Sequence, residues 1–101
     1  MIRKAFKIFK TPTFEKWFSQ QTVKAKEQIR SRMSLIELNG YFGDHKSVSK
    51  DDVVWELRWK NGRRIYYSYL LEQNILLLIG GNKNGQNVDI KKARRIFEHT
   101  T

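Results

Sequence analysis

Arg58, Lys60, Arg63 and Arg64 crowd around the dipeptide Asn61-Gly62, and Tyr66 follows two residues later. Lys83, Asp89, Lys92 and Arg95 come after the next apolar run. Cations held in place suit a reaction that develops negative charge, because a charge already positioned costs no reorganisation when the anion forms. Arginine adds a planar fork that matches phosphate, and lysine adds a compact charge whose pKa moves readily. A lysine crowded by arginines gives up its proton more easily, which makes Lys60 or Lys83 a candidate for proton transfer near neutral pH. Tyr66 offers an aromatic face and a proton. Asp89 is either a base or a helix N-cap.

The same residues have plainer readings. Glu56 can be an ion-pair partner of Arg58 or Arg64. Lys92 and Arg95 can be exposed helix charges or phosphate contacts. His45 falls in a loop, and His99 lies close enough to the C-terminus to fray. Trp17, Trp55 and Trp59 read as core aromatics before base-stacking platforms. Gly80-Gly81-Asn82-Lys83 lacks the spacing and the Lys-Ser/Thr pair of a phosphate-binding P-loop.

The whole chain carries the same sign. Its 101 residues bear a formal charge of +10 and a pI near 10.1, with lysine and arginine in both halves. Such a field draws polyanions, whether nucleic acid, an acidic protein segment or an anionic membrane surface, and does not by itself separate RNA from DNA. A protein that is simply basic is the alternative. The length predicts one domain, 1–101, with one core. The absence of cysteine excludes disulfides and thiolate metal sites and suits a cytoplasmic protein. No apolar stretch approaches a membrane span, and Arg3, Lys4, Lys7 and Lys10 interrupt the N-terminal apolar residues, unlike a signal peptide.

The elements that must position these side chains follow from periodicity. Ala5 to Phe9 reads as a strand stopped at Thr11-Pro12. Thr13 is expected to cap a short helix with Phe14, Trp17 and Phe18 on one face, ending near Gln20 or Gln21. Thr22 opens a second helix whose stripe is Ala25, Ile29, Met33 and Ile36, widened by Leu35 and Leu38 and ended at Asn39-Gly40. Its basic residues, Lys24, Lys26, Arg30 and Arg32, fall largely off the stripe. After a loop and a weak strand near Val48, Val53 to Lys60 alternates Trp55, Leu57 and Trp59 with Glu56, Arg58 and Lys60. Arg64 to Leu71 alternates in the same way.

The buried side decides how these two strands pair. A two-residue turn at Asn61-Gly62 would set Arg58 against Ile65 and mix charge with core on both faces. A three-residue loop, Lys60-Asn61-Gly62, sets Arg58 against Arg64, Leu57 against Ile65 and Glu56 against Tyr66, with Gly62 at positive φ. That register predicts an exposed face of Glu56, Arg58, Arg64 and Tyr66. Asn74 to Ile79 is apolar on both sides and reads as a central strand ended by Gly80-Gly81. Asn87 or Asp89 caps a last helix with Ile90, Ala93, Ile96 and Phe97 inward.

This order of elements, with Phe14-Glu15-Lys16-Trp17, Gly40, Phe42 to Val48, Trp55-Glu56-Leu57-Arg58, Arg64 to Tyr67, Leu77 to Lys83, Gln86, Asp89-Ile90 and Ala93, resembles the RelE/ParE superfamily of type II toxins. It is most similar to the HigB-like addiction module killer branch. The resemblance implies an α+β fold, a small antiparallel sheet with an N-terminal helical hairpin on one face, an open basic face opposite, and a short C-terminal helix. It implies ribosome-dependent cleavage of mRNA without metal or cofactor, and a cognate antitoxin partner, often of helix-turn-helix type. Arg58, Arg64 and Lys83 match the family's site cations, Tyr66 and Asp89 join them as candidates, and Lys60, Arg63, Lys92 and Arg95 are candidate RNA contacts. The RelE-type tyrosine near the last helix has no match here, since Asp89 stands in that neighbourhood. A ParE-like gyrase poison and a non-catalytic RNA- or antitoxin-binding module are the alternatives on the same fold.

Overall fold

The computed structural model describes residues 4–100; residues 1–3, Arg3 of the basic N-terminal mixture among them, and 101 lie outside the described part. The elements are β1 (Lys7–Lys10), α1 (Pro12–Ser19), α2 (Val23–Asn39), β2 (His45–Ser47), β3 (Trp55–Arg58), β4 (Arg63–Leu70), β5 (Asn74–Asn82), a 3-10 turn (Lys83–Gly85) and α3 (Gln86–Thr100). They make an α+β fold on one sheet of order β1-β5-β4-β3-β2. β2 to β5 pair antiparallel, whereas β1 joins β5 in parallel. The helical hairpin separates β1 from β2 in the chain, and the two strands lie at opposite edges of the sheet. Among the described residues no helix is long and apolar enough to cross a membrane.

Most of the expected periodicities appear where they were placed. Thr22 caps α2 by accepting from the Ala25 amide, Ala25, Ile29, Met33 and Ile36 are its buried residues, and Gly40 closes it at φ +68°. α1, in contrast, is capped by Thr11 rather than Thr13. Pro12 explains the shift: its missing N–H and fixed φ suit the first helical position. Thr11 also donates to the Leu78 carbonyl at 2.8 Å, which ties the start of α1 to the sheet. Leu35 and Leu38 do not widen the packed stripe; both are exposed.

The hairpin has the three-residue loop. Arg58 lies opposite Arg64, Leu57 opposite Ile65 and Glu56 opposite Tyr66. Trp59 N–H donates to the Arg63 carbonyl at 3.0 Å, and Gly62 takes φ +98°. One face of the sheet packs on the helical hairpin through Phe14, Ile29, Met33, Ile36, Phe42, Leu57, Ile65, Tyr67, Ile75 and Leu77, with Trp55 and Trp59 partly buried beside them.

The other face is not open. α3 lies across it, and Val54, Tyr66, Leu78, Ile79 and Ala93 form a second apolar cluster with Ile90, Ile96 and Phe97 at its rim. A register shift between Tyr66 and Tyr67 helps to build this platform. Tyr66 pairs with Ile79 but Tyr67 pairs with Leu77, so the extra residue lets both Leu78 and Ile79 join the α3-side cluster. β5 also runs on through Gly80-Gly81 to Asn82 instead of stopping at the glycines. These glycines are there for close approach. A Cβ on Gly80 would collide with the Trp17 indole, and one on Gly81 would collide with the Asp89 carboxylate.

Candidate functional site

Strand alternation places Arg58 and Arg64 on the α3 side of the sheet, two residues beyond Glu56 and Tyr66 and at the hairpin-tip end. α3 covers the apolar part of this face, so Glu56, Arg64 and Tyr66 are buried, not exposed as the alternation had suggested. Alternation says which face a side chain takes; it does not say what else packs there.

The buried Glu56 carboxylate is the centre of the group. One oxygen, Oε1, accepts from Gln86 Nε2 at 2.9 Å and lies 3.6 Å from Arg64 Nε. The other, Oε2, lies 3.5 Å from Arg58 Nε. The two arginines then differ. Arg64 donates through Nη1 to the Trp59 and Arg63 carbonyls at 3.2 and 3.0 Å, so it braces the hairpin tip from beneath. Arg58 keeps about a third of its side chain exposed, with no hydrogen bond from its Nη atoms among the described residues. Lys83 reaches the same tip. Its amide donates to the Gly62 carbonyl at 2.8 Å, and its side chain passes over Gly62, where a Cβ would lie 3.5 Å from Lys83 Cδ.

Tyr66 and Asp89 complete the cluster. Burial pushes the Tyr66 phenol well above its usual pKa, and the charges of Glu56 and Asp89 add to the shift. Tyr66 therefore stays protonated and is not a phenolate base. Asp89 is not an N-cap: α3 begins at Gln86, and Asp89 sits within its first turn with its carboxylate against Gly81 and Gly85. Burial raises its pKa, and nearby Lys92 opposes the rise. A carboxylate desolvated in this way is moved toward the range in which it can exchange a proton.

A groove of about 440 Å³ lies between β2 and the start of α3, lined by Lys46, Ser47, Val48, Ser49, Lys50, Gln86, Asn87 and Ile90, and it meets the cluster through Gln86. Lys46 pairs with Glu56 across β2 and β3. Lys60 is exposed in the hairpin loop. Lys92 is close enough to influence Asp89. Arg63 and Arg95 are not brought in. Arg63 takes the helical side of the sheet, where it donates to Gln28 Oε1 at 3.0 Å and lies over the Trp59 ring. Arg95 lines a separate groove with Thr11, Pro12 and Thr13.

Three residues had no site role assigned from the sequence. Gln86 and Lys46 belong to the stretches that carry the family resemblance, yet nothing local marks them as site residues. Arg32, placed with the solvated residues of α2, instead donates to the Phe42, Arg58 and Asp44 carbonyls at 2.9, 2.8 and 2.7 Å and lies over the Trp59 ring. It fixes the end of β3 that carries Arg58. The one available hint was Gly43, where φ is +69° and the Arg32 guanidinium leaves little room for a side chain.

Residues 16–99, most of the chain and all of this site, match the family model of the phage-derived protein Gp49-like. The chain belongs to this Gp49-like family. An uncharacterized protein of Haemophilus influenzae Rd is 40% identical to the Gp49-like chain over 92 residues, covering 87% of this chain and 89% of that protein. Among solved structures, Escherichia coli toxin RelE in the free state, in a variant with two arginines changed to alanine, matches with a TM-score of 0.70 at 13% identity, over 91% of this chain and 98% of that one. Isolated E. coli RelE matches with a TM-score of 0.65 at 14% identity, over 91% and 99%. The RelBE2 toxin–antitoxin complex of Mycobacterium tuberculosis matches with a TM-score of 0.54 at 11% identity, over 77% and 91%. Likeness at such low identity concerns the fold, and the fold of the Gp49-like chain is that of RelE-type toxins.

Proposed function

We propose that this Gp49-like protein, of the HigB-like kind, is the toxin of a type II toxin–antitoxin pair. It acts as a metal-independent, cofactor-free endoribonuclease on mRNA at the ribosome in the cytoplasm. Its partner is a cognate antitoxin, of helix-turn-helix type. The observation that carries this reading is the meeting, at one end of the sheet, of the cross-strand arginines Arg58 and Arg64 with Tyr66, Asp89 and Lys83. The RelE fold and the RelBE2 complex among its structural relatives support the toxin and antitoxin parts.

In the reaction the RNA attacks itself. Asp89 takes the proton from a 2′-hydroxyl, and the 2′-oxygen bonds to phosphorus. Arg58 stabilises the crowded phosphorane, and Tyr66, buried behind it, stays protonated. The bond from phosphorus to the 5′-oxygen breaks, and Lys83 protonates the leaving oxygen. The products are a 2′,3′-cyclic phosphate and a 5′-hydroxyl. Lys46, Lys60 and Lys92 contact neighbouring phosphates. If about four phosphates are held, log affinity for a single-stranded RNA falls with log salt at a slope near −3, from roughly −0.7 per contact.

Brief expression followed by primer extension on cellular mRNAs tests the reading. Cleavage within translated regions is expected, with a cyclic phosphate at the new 3′ end. In Arg58→Ala it should drop by about 10²- to 10³-fold, the usual cost of losing one preorganised donor at a developing anion. Growth arrest with intact mRNA and trapped gyrase–DNA complexes would replace the nuclease by a ParE-like poison.

A further inference from the structure

We propose that Glu56 is the positioning residue of this site: its buried carboxylate holds the Nε edges of Arg58 and Arg64, and so turns the Nη edge of Arg58 toward the RNA phosphate. The proposal rests on the nuclease reading for its function and on the side-chain geometry for its existence. Glu56 is fully buried in a chain of charge +10; Oε1 accepts from Gln86 and faces Arg64, and Oε2 faces Arg58 at ion-pair distance. Arg58 and Arg64 stand directly opposite each other on neighbouring strands. Two like charges at such a pair of positions repel, and without an anion between them the less buried one would swing into solvent.

The way the pairs are made is informative. An ion pair built for holding alone commonly joins the two forks, with both ends of the guanidinium on the carboxylate. Here the close atom is Nε in each case, at 3.5 Å for Arg58 and 3.6 Å for Arg64. Arg64 then directs Nη1 to the backbone of the hairpin, whereas the Nη edge of Arg58 is left for something else. The buried polar side-chain atoms without a hydrogen-bond partner among the described residues are Glu56 Oε2, Arg58 Nε, Arg64 Nε and Tyr66 Oη. All belong to this cluster. A shortening of a few tenths of an ångström would turn both ion-pair contacts, Arg58 Nε to Oε2 and Arg64 Nε to Oε1, into hydrogen bonds. Gln86 Nε2, bonded to Oε1 at 2.9 Å, ties the carboxylate to the start of α3.

The test uses the full chain, ribosome-bound mRNA, and arginine Nε–H resonances read by nitrogen-edited NMR. In the wild type, two Nε–H protons should exchange much more slowly than those of free arginine. Glu56→Asp keeps the charge but shortens the reach. It should stay folded, lose protection at Arg58, and cleave with kcat lowered by about 10²-fold, the typical penalty for a misplacement of about an ångström, while KM changes little. Gln86→Ala keeps Glu56 in place with one tie fewer and should lower kcat by less. Wild-type kcat in Glu56→Asp would overturn the proposal, as would wild-type Nε–H protons that exchange like free arginine. If Glu56→Asp unfolds, the wild-type protection and the Gln86→Ala variant still decide. If the wild type cleaves no RNA, the nuclease reading fails alone, and Nε–H protection with its loss in Glu56→Asp still decides the positioning.

Discussion

The two faces of the sheet are built to different rules. On the helical-hairpin side, the strands contribute Leu57, Ile65, Tyr67, Ile75 and Leu77 to one continuous apolar cluster, and α1 and α2 close it. On the α3 side, the cover is divided. Ala93 and its neighbours close the half built on Val54, Leu78 and Ile79, while the half nearer the hairpin tip holds Glu56, Arg58 and Arg64. The first face gains from burying apolar area. The second surrounds charges with a poorly hydrated wall, which strengthens their interactions and makes any unpaired one costly. The apolar half of α3 packing is therefore what gives the polar half its electrostatic leverage.

Substitutions ordered by expected cost to the fold sharpen this contrast. Ile65→Ala, on the hairpin side, removes a fully buried side chain and should destabilise by about 2–5 kcal/mol in urea melts. The molecules that remain folded should cleave normally. A specific loss of activity per folded molecule would show that the two faces are coupled through the sheet.

Arg64→Ala comes next. It strips a donor from the Trp59 carbonyl and one counter-ion from the buried Glu56, so a loss of about 1–3 kcal/mol is expected. The Gly62 amide at the loop should exchange faster. An exposed Arg64 would have been removable without harm to the fold; its burial changes that expectation, and a variant with wild-type melting would restore it. Arg58→Ala is the counterpart. It also removes a counter-ion of Glu56, but its partly exposed side chain leaves room for water in its place and braces no backbone, so it should cost the fold less than Arg64→Ala and act mainly on cleavage. Separating the two arginines in this way, one mainly a brace and one mainly a phosphate contact, is the sharpest consequence of their unequal burial.

How much of this could be read beforehand depends on the range of the interaction. The α2 stripe is a local periodicity, and the hairpin register follows because a one-residue slip would exchange core and solvent faces along a whole strand. Both were legible. The apolar stripe of α3 was legible too, yet its destination was not, because nothing in Ile90, Ala93, Ile96 and Phe97 names the surface they cover. Once α3 is known to lie over β4 and β5, the burial of Glu56, Arg64 and Tyr66 follows. Asp89 was misplaced as a cap for a related reason. Its position is set by Gly81, a strand residue eight positions earlier whose missing Cβ makes room for the carboxylate. The Arg32 clasp has the same long-range origin.

The smallest effect concerns what holds α3 down. Arg94 on α3 donates two hydrogen bonds to Asp51, at 3.0 and 2.7 Å, at the solvent edge of the loop before β3. These bonds, with one from Ser49, hold the Asp51 pKa well below the usual carboxylate range. A carboxylate whose pKa is lower folded than unfolded stabilises the fold above its unfolded value, near 4, and loses that contribution as the pH falls toward the folded value. The pair is exposed, so solvent and salt screen it. Arg94→Ala should therefore leave cleavage and the amide exchange of Ala93, Ile96 and Phe97 close to wild type at neutral pH. Below about pH 4, in low salt, exchange in the wild type should rise slightly toward that of the variant, because Asp51 released from Arg94 then takes up a proton and the pair's contribution fades. High salt should erase the difference at every pH. If Arg94→Ala instead frees α3 at neutral pH, then the ion pair, rather than Ala93 and the apolar platform, closes this face, and the division between its two halves would have to be drawn differently.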